Sequence, residues 1–269
     1  MRIQKCFPQK LLWRQHLILE IGKTFRILYK YLEKKNWLEY FLFKYKKSDQ
    51  IIIPKQNIFL LFIFTTMHPE ILSESQKEIL PIFKNFSDQF GLVGGTAIAL
   101  HLGHRKSIDF DFFGTTSFDN ERILSSLRKS YSIESIMRND REELTFLIQG
   151  VQVTFLCYPY PLSFPIHFEN ILRLPDIETL SAMKLFALGR RAKWKDYVDI
   201  FFILRNGYML SHIFERAQEI FGNEMNEKLL REELCYFSDI DYSESVSYLP
   251  GFETSDQEIK TFLQKISIS

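Results

Sequence analysis

The sequence predicts an α/β chain of the α+β kind, with a sheet-containing lobe first and a helical lobe after it. Three stretches carry that expectation. Residues 90–113 run strand, tight glycine turn, short helix, loop, strand. Residues 143–148 and 151–157 are two strand-like runs around Gln149-Gly150, a hairpin signal. From residue 176 onward, apolar residues recur at helical spacing instead.

Each element has a local reason. Ser73 or Ser75 can cap a helix towards Phe86, with Pro81 as a kink point. Residues 90–93 are a short apolar run stopped by Gly94 and Gly95, a pair that permits a sharp turn or a close backbone approach. Residues 96–102 are apolar and alanine-rich, hence a packed helix. Residues 108–113 alternate, so Asp109 and Asp111 share one strand face. Residues 119–129 form a helix with Ile123, Leu124 and Leu127 on one side. Pro159, Pro161 and Pro165 mark an extended connection. Asp176 caps a helix over 177–188, and further helices follow over 194–205, 210–221, 224–237 and 255–266.

Charge divides the chain unevenly. Residues 1–66 hold 13 Lys/Arg against 4 Asp/Glu, and residues 67–269 hold 21 against 29. Such halves read as separate units. Residues 1–66 are therefore a basic N-terminal extension, helical over 11–47, ahead of an alternative start at Met67; residues 67–175 are the sheet lobe and 176–269 the helical lobe. Cys6, Cys157 and Cys235 are scattered, which fits a reducing cytoplasm rather than a disulfide framework or a zinc site. The longest apolar run, residues 58–64, is too short to span a membrane.

Asp109 and Asp111 side by side repel each other, and a divalent cation with a preference for hard oxygen ligands, Mg²⁺, resolves the conflict. The glycine turn ahead of the helix offers backbone N–H groups to an anion. Together these are the equipment for phosphoryl or nucleotidyl transfer from a nucleoside triphosphate. A dinucleotide fingerprint lacks its third glycine here, a P-loop lacks its Gly-Lys-Ser/Thr, and an EF-hand is excluded by Phe113 and Asn120 at ligand positions.

Gly94-Gly95-Thr96, followed by Gly103-His104-Arg105-Lys106-Ser107-Ile108-Asp109-Phe110-Asp111-Phe112-Phe113, resembles the signature of the AbiEii/AbiGii toxin family. These are nucleotidyltransferase-like proteins of the polymerase-beta superfamily, many of them toxins of toxin–antitoxin and abortive-infection systems. Met183-Lys184-Leu185, Arg190 and Lys195-Asp196-Tyr197-Val198-Asp199 match a second block, and the resemblance spans roughly residues 67–205. It implies a mixed sheet, and transfer of a nucleoside monophosphate from an NTP to RNA, with a tRNA 3′ end as acceptor and a separately encoded antitoxin as partner. It also implies site roles: Asp109 and Asp111 hold Mg²⁺; Gly94, Gly95, Thr96, Arg105, Ser107, Arg190 and Lys195 bind the nucleotide; Lys184 reaches a triphosphate oxygen; Asp196 or Asp199 orients Lys184 or supplies a third acid.

One departure stands out. Thr154 occupies the position where polymerase-beta-type transferases often carry a third carboxylate. That leaves room for a non-catalytic nucleotide-binding module. A third class, an RNase toxin using Arg205 and His212, is opposed by Gly207, which interrupts the helix that motif needs. By spacing alone, Lys184 can also be a snorkelling surface lysine, and His101 and His104 have no carboxylate partner nearby in the chain.

Overall fold

The computed structural model describes residues 67–268 and, before them, the residue pairs Lys46–Lys47 and Gln50–Ile51. Those two pairs form a short antiparallel ladder, so Lys46 and Lys47 are strand where a helix was expected; the rest of the helical reading over 11–47 lies outside the described residues. Met1–Thr65 and Thr66–Ser269 are separate compact units.

In the second unit, α1 (Glu74–Ile79) starts at a capping box, in which the Ser73 side chain accepts from Gln76 N–H and the Gln76 side chain accepts from Ser73 N–H. Pro81 has no N–H to continue the α-helical ladder, so the chain tightens into a 3₁₀ segment, Leu80–Phe86. Then come β1 (Gly91–Val93), α2 (Gly94–Leu102), β2 (Phe110–Gly114), α3 (Asn120–Leu127), β3 (Ser135–Asn139), β4 (Glu143–Ile148) and β5 (Val151–Cys157). The five strands make one mixed sheet in the order β1-β2-β5-β4-β3. Only β2 and β5 run parallel, and the long connection between them holds α3 and the β3–β4 hairpin. The β4–β5 turn is the expected one: Gln149 and Gly150 both have positive φ, 52° and 70°, which suits a tight hairpin.

β2 and β5 bury one face and leave the other half-open. The buried face is aromatic. Phe155 meets the rings of Phe86, Phe90 and Phe112 at centroid distances of 5.4, 4.9 and 5.1 Å. Phe83 and Phe86, from the 3₁₀ segment, thus roof the sheet. The opposite face carries Asp111, Phe113 and Thr154.

A small hairpin, β6 (Ile166–Phe168) and β7 (Leu172–Leu174), interrupts the extended connection expected there. Helices follow: α4 (Ile177–Leu188), α5 (Trp194–Arg205), α6 (Leu210–Phe221), α7 (Glu227–Cys235) and α8 (Asp256–Ser267). α4 is buried on nearly every side, as expected for a helix packed by α2, α5, α6 and α7 together. Ala97 and Ala99 of α2 are fully buried, and α2 lies against both α4 and α5. Sheet and helices therefore share one core.

Phe155 is the centre of the aromatic roof. Phe155→Ala is expected to lower the unfolding free energy by about 4 kcal/mol, read by equilibrium urea denaturation; a loss below about 1 kcal/mol would mean that the ring cluster does not hold the 3₁₀ segment to the sheet.

Candidate active site

β1 ends at Val93, which is register partner to Asp111 on β2. The chain then turns at Gly94, with φ at +70°, and α2 begins. A Cβ at Gly94 would collide with the Asp111 carboxylate, and one at Gly95 would lie 2.6 Å from Arg105 Nη2. The glycine pair is thus required by the approach of the protein's own side chains. Thr96 closes the same corner from within: its hydroxyl donates to the Asp109 carbonyl and shares a 2.8 Å hydroxyl–hydroxyl hydrogen bond with Ser107. Thr96 and Ser107 therefore fix the strand that carries the carboxylates, with the Thr96 side chain itself buried.

Asp109 stands just before β2 and Asp111 on it, beside the N-terminus of α2. Burial, reinforced by the charge of Asp109, pushes Asp111 up to about 6, against the pull of Lys184 and Arg191. Burial also raises Asp109; Lys195, Lys193 and Arg105 oppose that, while Glu244 adds to it. Cations from two helices and the loops beside them thus act electrostatically on the pair. On the next strand Thr154 is in parallel register with Asp111, so both project from the same face. The Thr154 hydroxyl accepts a 3.3 Å bond from Thr145. Among the described residues no group of three or more His, Cys, Asp and Glu side chains is arranged to hold a metal ion.

Behind the pair lies a sealed cluster of charge. Asp199 is fully buried and accepts from Arg105 Nε at 2.7 Å, Arg105 Nη2 at 2.9 Å, and His104 Nε2 lies 2.9 Å away. Lys184 Nζ sits 3.0 Å from Asp199 and 2.7 Å from Asp196. Arg191 Nε adds a 3.2 Å bond to Asp196. Burial alone would raise the Asp199 pKa, yet Arg105 and Lys184, with the hydrogen bonds from His104 and Arg105, hold it well below the usual carboxylate range. Burial likewise works against the charge of Lys184, and Asp196 and Asp199 outweigh it, so its pKa is raised. Buried charge is tolerated here because every member has an opposite partner.

This placement corrects two readings of the sequence. Lys184 is 6% exposed, so it is not a snorkelling surface lysine. His104, which has no nearby carboxylate in sequence, bonds one 95 residues away. The structure brings Arg105, Lys184, Asp196 and Asp199 together, with both acids facing Lys184 as their three-residue spacing requires. Asp199 spends its oxygens on these cations and stands in the cluster rather than with the carboxylate pair. Arg190 instead lies 3.5 Å over the Phe186 ring and bonds Glu224 at 2.8 Å. Lys195 and Lys193 both bond Glu244, which they hold down to about 2. Arg205 pairs with Glu258 at 2.9 Å. His104, Glu224 and Glu244 were invisible as partners in the sequence, since no fixed spacing links them to the residues they meet.

Removing Lys184 leaves two buried carboxylates short of a cation. Lys184→Met is expected to cost about 3 kcal/mol of unfolding free energy in urea denaturation; an unchanged curve would show that the cluster does not support the fold. Asp111 has the opposite sign. Its folded pKa of about 6 lies above the ordinary 3.8, so its penalty is absent below the ordinary value, grows between the two and is complete above the folded one. In metal-free buffer Asp111→Asn is expected to gain roughly 1–3 kcal/mol at neutral pH, a gain that vanishes towards pH 4. A gain that persists undiminished at acid pH would contradict this account.

Residues 82–264 match the family model described as "Nucleotidyl transferase AbiEii toxin, Type IV TA system". Over 180 residues the chain is 28% identical to the uncharacterized protein aq_aa25 of Aquifex aeolicus, covering 62% of this chain and 84% of that one. Two solved structures are similar at lower identity. JHP933 from Helicobacter pylori is 20% identical with a TM-score of 0.43, over 55% of this chain and 75% of that one. MenT4, a nucleotidyltransferase toxin from Mycobacterium tuberculosis, is 15% identical with a TM-score of 0.49, over 72% of this chain and 80% of that one. The family match takes in the carboxylate pair and the whole buried cluster, and it covers more than half of the sequence; the chain belongs to the AbiEii nucleotidyl transferase toxin family.

Proposed function

We propose that this protein transfers a nucleoside monophosphate from an NTP to the 3′ hydroxyl of an RNA, specifically a tRNA, and that a separately encoded antitoxin restrains it in the cytoplasm. The acceptor oxygen bonds to the α-phosphorus, the bond from that phosphorus to the bridging oxygen breaks, pyrophosphate leaves and the hydroxyl proton passes to water. The observation that supports this reading most is the Asp109–Asp111 pair, set against the Gly94 turn and under the influence of Lys184, Arg191, Lys193 and Lys195.

Asp109 and Asp111 would hold Mg²⁺, a hard cation that takes carboxylate oxygens. When bound, the ion neutralises charge on the triphosphate and lowers the pKa of a coordinated oxygen. The rest falls to the chain. Backbone N–H groups at Gly94 and Gly95 favour an anion at the start of α2. Lys184 and Arg105, positioned by Asp196 and Asp199, act on the site through their field, since their donors are engaged in the buried cluster. Arg191, Lys193 and Lys195 are the cations nearer solvent.

Thr154 beside Asp111 favours one alternative, a nucleotide-binding module without catalysis. Labelled NTP and RNA separate the readings. The parent protein is expected to label RNA when Mg²⁺ is present, and Asp109→Asn and Asp111→Asn are each expected to lower that labelling by roughly a thousandfold while remaining folded. NTP binding without labelling would support the module. RNA shortening would support a nuclease, and variants that label as well as the parent would remove this site from the reaction.

A further inference from the structure

Residues 236–255, between α7 and α8, form no helix or strand of their own. They are nevertheless stitched down at two places. Asp241 N–H donates to the Ala192 carbonyl at 2.7 Å, and Trp194 N–H donates to the Asp241 carbonyl at 3.1 Å. Further on, Lys106 N–H donates to the Ser247 carbonyl at 2.8 Å, and Leu249 N–H to the His104 carbonyl at 3.1 Å. The first stitch holds the start of α5, where Lys193 is the N-cap and Lys195 lies in the first turn. The second holds the loop that leads into Asp109. Glu244 lies between the two stitches, with one carboxylate oxygen on Lys193 Nζ and the other 2.8 Å from Lys195 Nζ.

The charges around the carboxylate pair are balanced. Asp109, Asp111, Asp196, Asp199 and Glu244 face Arg105, Lys184, Arg191, Lys193 and Lys195. A triphosphate adds several negative charges to this balance. Arg105 and Lys184 cannot turn to meet it without stripping the fully buried Asp199. Lys193 and Lys195 can, because their partner is a carboxylate that is 40% exposed. A carboxylate bridging two ammonium groups also offers them the same charge-assisted acceptors as two phosphate oxygens. Glu244 thus occupies the two ammonium groups that a polyphosphate on these lysines would need, and its charge reaches Asp109.

We propose that Lys193 and Lys195 are the polyphosphate subsite beside the carboxylate pair, and that Glu244 fills it in the free protein and is displaced by the triphosphate of the substrate. The same competition speeds departure of pyrophosphate, since Glu244 returns to the lysines as the product leaves. The proposal rests on the transferase reading for the source of the polyphosphate, but its test does not depend on transfer.

The probe is inorganic triphosphate, titrated calorimetrically into the full chain at low salt with EDTA and without RNA. Glu244→Gln is expected to bind it roughly tenfold more tightly than the parent, and the double variant Lys193→Met/Lys195→Met roughly tenfold more weakly. The gain from Glu244→Gln should disappear when both lysines are absent. Equal or weaker binding by Glu244→Gln would overturn the proposal, because Glu244 would then orient the lysines rather than compete for them. Glu244→Ala is the second variant: if both Glu244 variants melt well below the parent, Glu244 is a structural strut and the proposal falls. Triphosphate binding of the expected pattern in a protein that never labels RNA would refute the transferase reading and leave the subsite standing.

Discussion

The structure depends on one fully buried carboxylate. Asp199 is held by Arg105 and His104 from the loop ahead of β2 and by Lys184 from α4. An unpaired carboxylate in that position would be strongly unfavourable, and so would a buried guanidinium or ammonium without it. Each of these side chains therefore constrains the others. The loop that leads to Asp109 cannot shift without uncovering Asp199, and α4 cannot rotate without removing Lys184 from between Asp196 and Asp199. A charge cluster of this kind fixes relative position more than it adds net stability. Position is what a pair of carboxylates at the start of an inner strand requires.

The glycine turn serves the same end at shorter range. Asp111 approaches Gly94 so closely that any side chain there would displace it, and Gly95 makes room for Arg105. The turn that starts α2, the strand that carries the acids and the cluster beneath them are consequently one rigid corner. Thr96 ties that corner to itself through the Asp109 carbonyl. The result is a close pair of acids in a corner withdrawn from water, and burial raises both Asp111 and Asp109. Elsewhere in the site, opposite charges are paired. This contrast, a strained anionic pair beside satisfied cations, is the electrostatic character of the site.

The long connection between α7 and α8 borders the site. It has no periodic pattern, yet its backbone bonds reach both the start of α5 and the loop ahead of β2. Irregular chain pinned at two points keeps Glu244 in place without burying it. Exposed ion pairs exchange partners far more easily than buried ones. The site thus contains both kinds, a fixed cluster below and an exchangeable one at its mouth.

Much of this was legible in the sequence wherever the determining interactions are local. The caps at Ser73, Asp119, Asp176 and Ser255, the Gln149-Gly150 turn and the apolar periodicity of α4, α5 and α6 act within a few residues, so the elements fall close to where residue spacing puts them. The alternation around Asp109 and Asp111 is local as well. β3 escaped notice because Ser135–Asn139 is an exposed edge strand with no buried face to pattern. The β6–β7 hairpin turns at Glu169 and Asn170, both at positive φ, without the glycine that would have marked it. The partners of the charged residues were beyond reach for a different reason. His104 with Asp199, Arg190 with Glu224 and Lys195 with Glu244 are brought together by packing across tens of residues, and no spacing rule encodes them. Residue spacing alone reveals which chemical groups the chain possesses and that the two acids stand at the start of one strand. Only the tertiary structure decided which cations are sealed around Asp199 and which remain at the surface, because burial and long-range pairing exist only once the core has closed.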